Sequence, residues 1–246
     1  MRLFRCDACD NTVHFDNTVC VACAHRLGWL PDAFAMTALE PIGDHFRSPR
    51  LGREFAYCAN ARHDACNWLV PIERAGDLCP ACRHNRTIPA LDVPDNLAAF
   101  RRIVRDEHHL FYSLLRWRLD PPTKAEDPVA GLAFDFLADE IDAGGNPVPV
   151  MTGHADGVVT LAISEADDAE RERRRTDLGE PYRTLLGHFR HEIGHYYWDR
   201  LVRDGGRLEA FRAVFGDERV DYGAALARHY DRGPPPNWSR NFVSSY

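Results

Sequence analysis

Leu185-Leu186-Gly187-His188-Phe189-Arg190-His191-Glu192-Ile193-Gly194-His195-Tyr196-Tyr197-Trp198 carries a His-Glu-x-x-His pattern at residues 191–195. On a helix, residues four apart share a face, so His191 and His195 can reach one metal ion. Glu192, next to the first histidine, can orient a metal-bound water. Zinc lowers that water's pKa and polarises a carbonyl, and the carboxylate takes the proton as the water attacks. Leu185, Phe189, Ile193 and Tyr197 recur at i+4 steps, which predicts a buried stripe. The helix is expected from Tyr182 to about Val202, opened by Pro181 and ended by Gly205-Gly206. His188, one turn before His191, is read as a supporting or surface residue and not as a ligand.

A catalytic zinc usually takes three protein ligands and keeps one position for water. The extended pattern with a later glycine and histidine fails, because Trp198 and Leu201 stand at those positions. The third ligand is then a carboxylate or another residue downstream, and within this sequence Asp217, Glu218 and Asp221 are the candidates. Upstream, Pro147 to Ile163 reads as a hairpin turning at Asp156-Gly157. Its second arm, Val158–Ile163, is the expected edge strand for holding an extended peptide beside the metal. Leu132–Leu137 is a short strand or a helical turn. Asp95 to about Leu119 reads as a helix after Pro94, stopped by Pro121-Pro122.

The cysteines occupy only the first third of the chain. All eight fall between Cys6 and Cys82. Cys6, Cys9, Cys20 and Cys23 form two Cys-x-x-Cys knuckles, each of which turns two thiolates toward one ion. Cys58, Cys66, Cys79 and Cys82 form a looser second set. Four thiolates close a tetrahedral shell, so both sites are expected to be structural. His14, His25, His63 and His84 could replace a cysteine, but neither set needs one. Residues 31–57, with Pro31, Pro41 and Pro49, read as a connecting segment, and Pro89–Pro94 reads as a hinge separating the cysteine clusters from the rest.

Composition narrows the partners. The chain has 246 residues, 45% of them hydrophobic, so a packed core is feasible. A formal net charge of −7 speaks against nucleic acid as a partner, despite local arginines at 47, 50, 53, 62, 83 and 86. No apolar run approaches the roughly 18–20 residues of a membrane span, and the first residues lack a signal-peptide stretch, which leads to a cytoplasmic expectation. Paired cysteines in a reducing compartment are metal ligands more often than disulfides.

Taken together, the cysteine sets, Tyr57-Cys58-Ala59-Asn60, Cys66 to Pro71, Cys79 to Pro89, Gly153-His154, Gly157 to Ala166 and Arg190 to Leu201 resemble a bacterial family of zinc-binding metallopeptidases with an N-terminal zinc ribbon. The resemblance covers most of the chain. It implies a zincin-like catalytic domain with His191 and His195 as ligands and Glu192 as base. Members of that family look longer, with a downstream Trp-Glu-Asp segment suited to the third ligand, whereas this sequence stops at Val243-Ser244-Ser245-Tyr246. The expectation is an α+β chain: a zinc ribbon at 1–30, a second cysteine cluster and linker at 31–94, and a C-terminally shortened catalytic domain at 95–246. It would hold one catalytic and up to two structural Zn2+ ions, cleave a peptide, protein or other amide, and dock a protein partner through the ribbons. The rival expectation is a non-catalytic zinc scaffold with an incomplete histidine site.

Overall fold

Each knuckle of the first cysteine set is built on a left-handed residue. Asp10 and Ala24 both have φ of 60°, and their N–H groups reach back to the carbonyls of Cys6 and Cys20 at 2.8 and 2.9 Å. Asp10 follows the short strand β1 (Phe4–Arg5), which pairs antiparallel with β2 (Thr12–Val13). The computed structural model describes residues 2–142, 144–145, 147–148, 150, 152–177, 184–233, 236–237 and 240.

The stretch read as a connector is instead most of a sheet. Strands β3 (Arg26–Leu30), β4 (Ala35–Ile42), β5 (His45–Ser48), β6 (Arg53–Tyr57) and β7 (Leu69–Pro71) form an antiparallel meander in chain order. Five residue pairs, from Arg26↔Leu39 to Leu30↔Ala35, join β3 to β4 across the expected boundary at residue 30. Pro41, an unusual residue for a strand, is accommodated inside β4. It lies beyond the β3 pairing, where β4 has a hydrogen-bonded neighbour only in β5, so its missing N–H costs no ladder bond on the β3 side. Leu30, Leu39, Phe55 and Leu69 make the sheet's own apolar core.

Helix α1 (Pro94–Arg116) carries Pro94 in its first turn, where a missing N–H costs nothing. Its Phe100, Ile103, Val104, Leu110, Phe111 and Leu114 are buried. Tyr112 reaches the ribbon, with its ring 5.3 Å from Phe15 and 5.7 Å from Trp29.

A second sheet has the order β12-β13-β9-β8. It comprises β8 (Asn85–Thr87), β9 (Ala133–Leu137), β12 (Gly153–Ala155) and β13 (Val158–Ala162). Leu132–Leu137 is thus resolved as a strand. Ala133, Phe134 and Phe136 are at most 2% exposed, the near-continuous apolar run expected of a strand paired in parallel on both sides. The Asp156-Gly157 turn is confirmed, with φ of 47° and 77° at the two residues. A side chain at 157 would also strike the Gly131 carbonyl at 2.3 Å, so the position demands glycine twice over.

The first half of the expected hairpin goes elsewhere. β11 (Pro147–Val148) pairs with β10 (Glu140–Ile141), and of the expected first arm β12 alone pairs with β13. Val158–Ile163 is also not an edge. β13 has β12 on one side and β9 on the other, so a peptide cannot add there, and the edge strand on its side of the sheet is β12.

Helices α2 (Asp168–Asp177) and α3 (Leu185–Trp198) follow. Pro181 and Tyr182, the expected start of α3, lie outside the described residues. Beyond Trp198 the helix widens into a π-turn over Asp199–Arg203, and α4 (Leu208–Phe215) and α5 (Tyr222–Arg232) follow. Packing divides the chain into two units, Met1–Tyr196 and Tyr197–Tyr246. Among the described residues no helix is long and apolar enough to cross a membrane.

Candidate metal centres

The two cysteine sets each gather into one cluster, with the four sulfurs of a set within 4.8 Å of one another. In the first, Cys6 and Cys23 lie 3.7 Å apart and Cys9 and Cys20 3.6 Å apart. Cys9 is exposed and Cys23 half-buried. The backbone N–H of Cys23 is the main influence drawing the Cys20 thiol down to about 6, toward the thiolate an ion needs.

The second cluster is sealed. Cys58, Cys79 and Cys82 are at most 1% exposed and Cys66 is 8% exposed. Bonds from Cys66, Cys79 and Cys82 hold the Cys58 thiol far below its ordinary range, while burial pushes Cys66 and Cys79 up. Buried thiols that oppose one another in this way fit a bound dication, which would stabilise all four as thiolates at once. Three backbone donors already face the cluster: Cys79 N–H to Cys58 at 3.2 Å, Cys82 N–H to Cys79 at 3.4 Å, and Trp68 N–H to Cys66 at 3.4 Å. His108 of α1 adds a side-chain nitrogen, with Nε2 3.5 Å from both Cys66 Sγ and Cys82 Sγ.

None of the histidines considered as cysteine substitutes is gathered with a cluster. His84, beside Cys82 in sequence, pairs through Nδ1 with the Leu132 carbonyl at 3.0 Å and stacks on Phe111. Burial brings its imidazole down to about 4.

The third centre lies on α3. Phe189 docks the helix against β9, with its ring 5.5 Å from Phe134 and 6.2 Å from Phe136. Burying such a ring contributes about 2–3 kcal/mol. Tyr196 ties the next turns down by donating its hydroxyl to the Ala130 carbonyl at 2.8 Å. The buried stripe is therefore Leu185, Phe189, Ile193 and Tyr196, and Tyr197 is only half-buried. This sets His191 and His195 on the exposed side of the helix and Glu192 in the buried layer at 9% exposure. The two Nε2 atoms stand 3.1 Å apart. Two nitrogens about 2.0–2.1 Å from one tetrahedral zinc would stand roughly 3.3 Å apart, so the pair fits a shared ion.

Two neighbours frame this pair. His154 on the edge strand β12 stacks parallel to His195, with centroids 6.4 Å apart and planes within 8°. Gly157 N–H donates to its Nε2 at 3.1 Å. His188 is half-buried, with Nδ1 3.6 Å from the fully buried carboxylate of Glu165. Neither His154 nor Glu165 carries a motif of its own in the sequence. Both come from strands or turns brought to α3 by the sheet.

The candidate third ligands lie in the second unit, and each has a local partner. Both carboxylate oxygens of Glu218 are taken by the Arg212 guanidinium. Asp217 pairs with Arg219 at 2.8 Å, and Asp221 accepts the Ala224 N–H at 2.7 Å at the start of α5.

Comparison with known proteins gives a match to each of two successive stretches of the sequence. Residues 96–246 match a family described as "Putative zinc-binding metallo-peptidase", and residues 3–93 match a zinc-ribbon domain. An uncharacterized protein of Mycobacterium bovis and one of Mycobacterium tuberculosis are each 40% identical over 247 residues, an alignment taking in 100% of this chain and 68% of either relative. No solved structure matches.

Proposed function

This chain belongs to the zinc-binding metallo-peptidase family, and from that premise we propose that it is a zinc-dependent peptidase or amide hydrolase with its reaction centre on α3. The observation that carries the proposal is the His191–His195 pair, with Nε2 atoms 3.1 Å apart and Glu192 beside it in the buried layer. In this reading His191 and His195 hold the catalytic zinc, which supplies a water of lowered pKa and polarises the scissile carbonyl. Glu192 takes that water's proton and passes it to the departing amine. The edge strand β12, not β13, receives an extended peptide, and its register passes His154 beside His195.

The two four-cysteine clusters hold structural ions, since four thiolates leave no open position. The eight free thiols fit a reducing compartment such as the cytoplasm. The ribbon sheet docks a protein partner in this reading, supported by a cleft of about 180 Å³ whose accessible lining includes Pro31, Asp32, Arg53, Leu78 and Pro80.

The test is Glu192→Gln. Glutamine keeps the shape and cannot take a proton, so hydrolysis of a peptide library should fall by 10²-fold or more with zinc content unchanged. A chelator control identifies the metal-dependent activity. If the substituted protein keeps most of that activity with its zinc in place, Glu192 is not the base. One observation favours a second reading, a zinc scaffold without catalysis: Asp217, Glu218 and Asp221 are all engaged locally. Retained zinc at the histidine pair with no cleavage across the library would support it.

A further inference from the structure

The second cysteine cluster is supplied with donors unevenly. Cys58, Cys66 and Cys79 each accept a backbone N–H, from Cys79, Trp68 and Cys82 respectively. Cys82 is 0% exposed, so water does not reach it. Among the described residues the nitrogen that approaches it is His108 Nε2 at 3.5 Å, and the same nitrogen lies 3.5 Å from Cys66. A zinc ion with four thiolates carries a net charge of −2, and burying that charge is costly unless N–H groups point at the sulfurs.

We propose that His108 is the outer hydrogen-bond donor of the second zinc site, its Nε2–H shared between the thiolates of Cys66 and Cys82. The imidazole is held for that role. It is 3% exposed and stacks on Trp68, with centroids 5.0 Å apart and planes at 30°. Trp68 itself donates its N–H to Cys66 and accepts the Cys58 N–H at 2.9 Å. One side chain from α1 and one backbone segment from β7's approach thus close the same cluster from two sides.

The consequence concerns how the chain is joined. Cys58 to Cys82 lie in the zinc-ribbon match and His108 in the metallo-peptidase match. The ion of the second cluster is therefore held in part by the first helix of the peptidase region, and Pro89–Pro94 is a bend between co-dependent parts. This inference does not rest on catalysis and stands if the chain cleaves nothing.

The test uses the full chain and compares His108→Phe, which keeps a ring against Trp68 and removes the donor, with His108→Gln, which restores an N–H at similar reach. Zinc transfer to a chromophoric chelator should show a slow phase from the sealed cluster. His108→Phe should accelerate that phase 10- to 100-fold, and His108→Gln should bring it back to within a few-fold of the parent. After cadmium exchange, 113Cd NMR should show His108→Phe moving one of the two four-sulfur signals and leaving the other in place. An unchanged slow phase in His108→Phe, or a glutamine variant as fast as the phenylalanine one, overturns the proposal. If His108→Phe does not fold, 15N shifts of the unaltered protein decide the matter: a protonated Nε2 on His108 supports the assignment, and a bare or metal-bound Nε2 overturns it.

Discussion

The two cysteine clusters use the same ligands and are embedded in opposite ways. The first hangs on the two-residue strands β1 and β2, with Cys9 exposed, and its nearest side-chain donor is Asn11, 3.9 Å from Cys20. The second is walled in by Trp68 and α1 and is reached by His108, while backbone N–H groups face thiols in both clusters. Burial makes the difference. An exposed tetrathiolate is solvated in part by water, whereas a sealed one must be solvated by the protein, so the protein around it has to be folded. The first cluster should then act as a local staple and the second as part of the core.

The largest expected effect follows directly. Cys79→Ser should abolish cooperative unfolding of residues 2–196 and expose α1 to protease, because structural zinc contributes on the order of 10 kcal/mol to such a site. Cys6→Ser should release the first ion and loosen only the segment around β1 and β2, leaving α1 protected. Limited proteolysis with mass spectrometry separates the outcomes, and equal collapse in both variants would erase the contrast. Next in size, a competing chelator should strip the first cluster at least tenfold faster than the second, read as two phases of zinc release. A single phase would mean that burial does not govern the exchange.

A third test probes the core beside the sealed cluster through pH. Burial pushes the Glu107 carboxyl up to about 8, against the help of Asn85, which donates to it at 3.1 Å. The folded state keeps this proton while the unfolded chain loses it near pH 4.5. The group's contribution is thus fully present below that pH and is lost as pH rises toward 8, by a few kcal/mol in order of magnitude. Glu107→Gln should remove that slope, so the difference in Tm between the two proteins should grow from pH 5 to pH 8. A constant difference would mean that Glu107 titrates normally. The smallest effect belongs to the first cluster: Asn11→Ala should change its zinc release less than threefold, because its contact with the Cys20 thiol is long, at 3.9 Å, and therefore weak.

Much of the candidate chemistry was legible in residue order. Both four-cysteine sets gather as their spacing implied, and His191 and His195 meet across one helical turn. The Asp156-Gly157 turn and the helix after Pro94 also appear where expected. The five-stranded meander was not legible. Its strands are short, broken by Pro31 and Pro49, and include Pro41 inside β4, so their periodicity is weak. A trace of His108's role was present: Val104, Glu107, His108 and Phe111 fall on one helical stripe, and polar residues on a core stripe need partners.

The sequence by itself determined the donor sets, because a Cys-x-x-Cys knuckle and an i,i+4 histidine pair are made by backbone geometry within a few residues. Only the tertiary structure decided which strand is an edge, which acids are already engaged, and which helix serves a distant metal cluster. His108 is 42 residues from Cys66, and β13 lies inside the sheet because β9 pairs with it across more than twenty residues. Such contacts are set by how whole elements pack, and no local spacing encodes them.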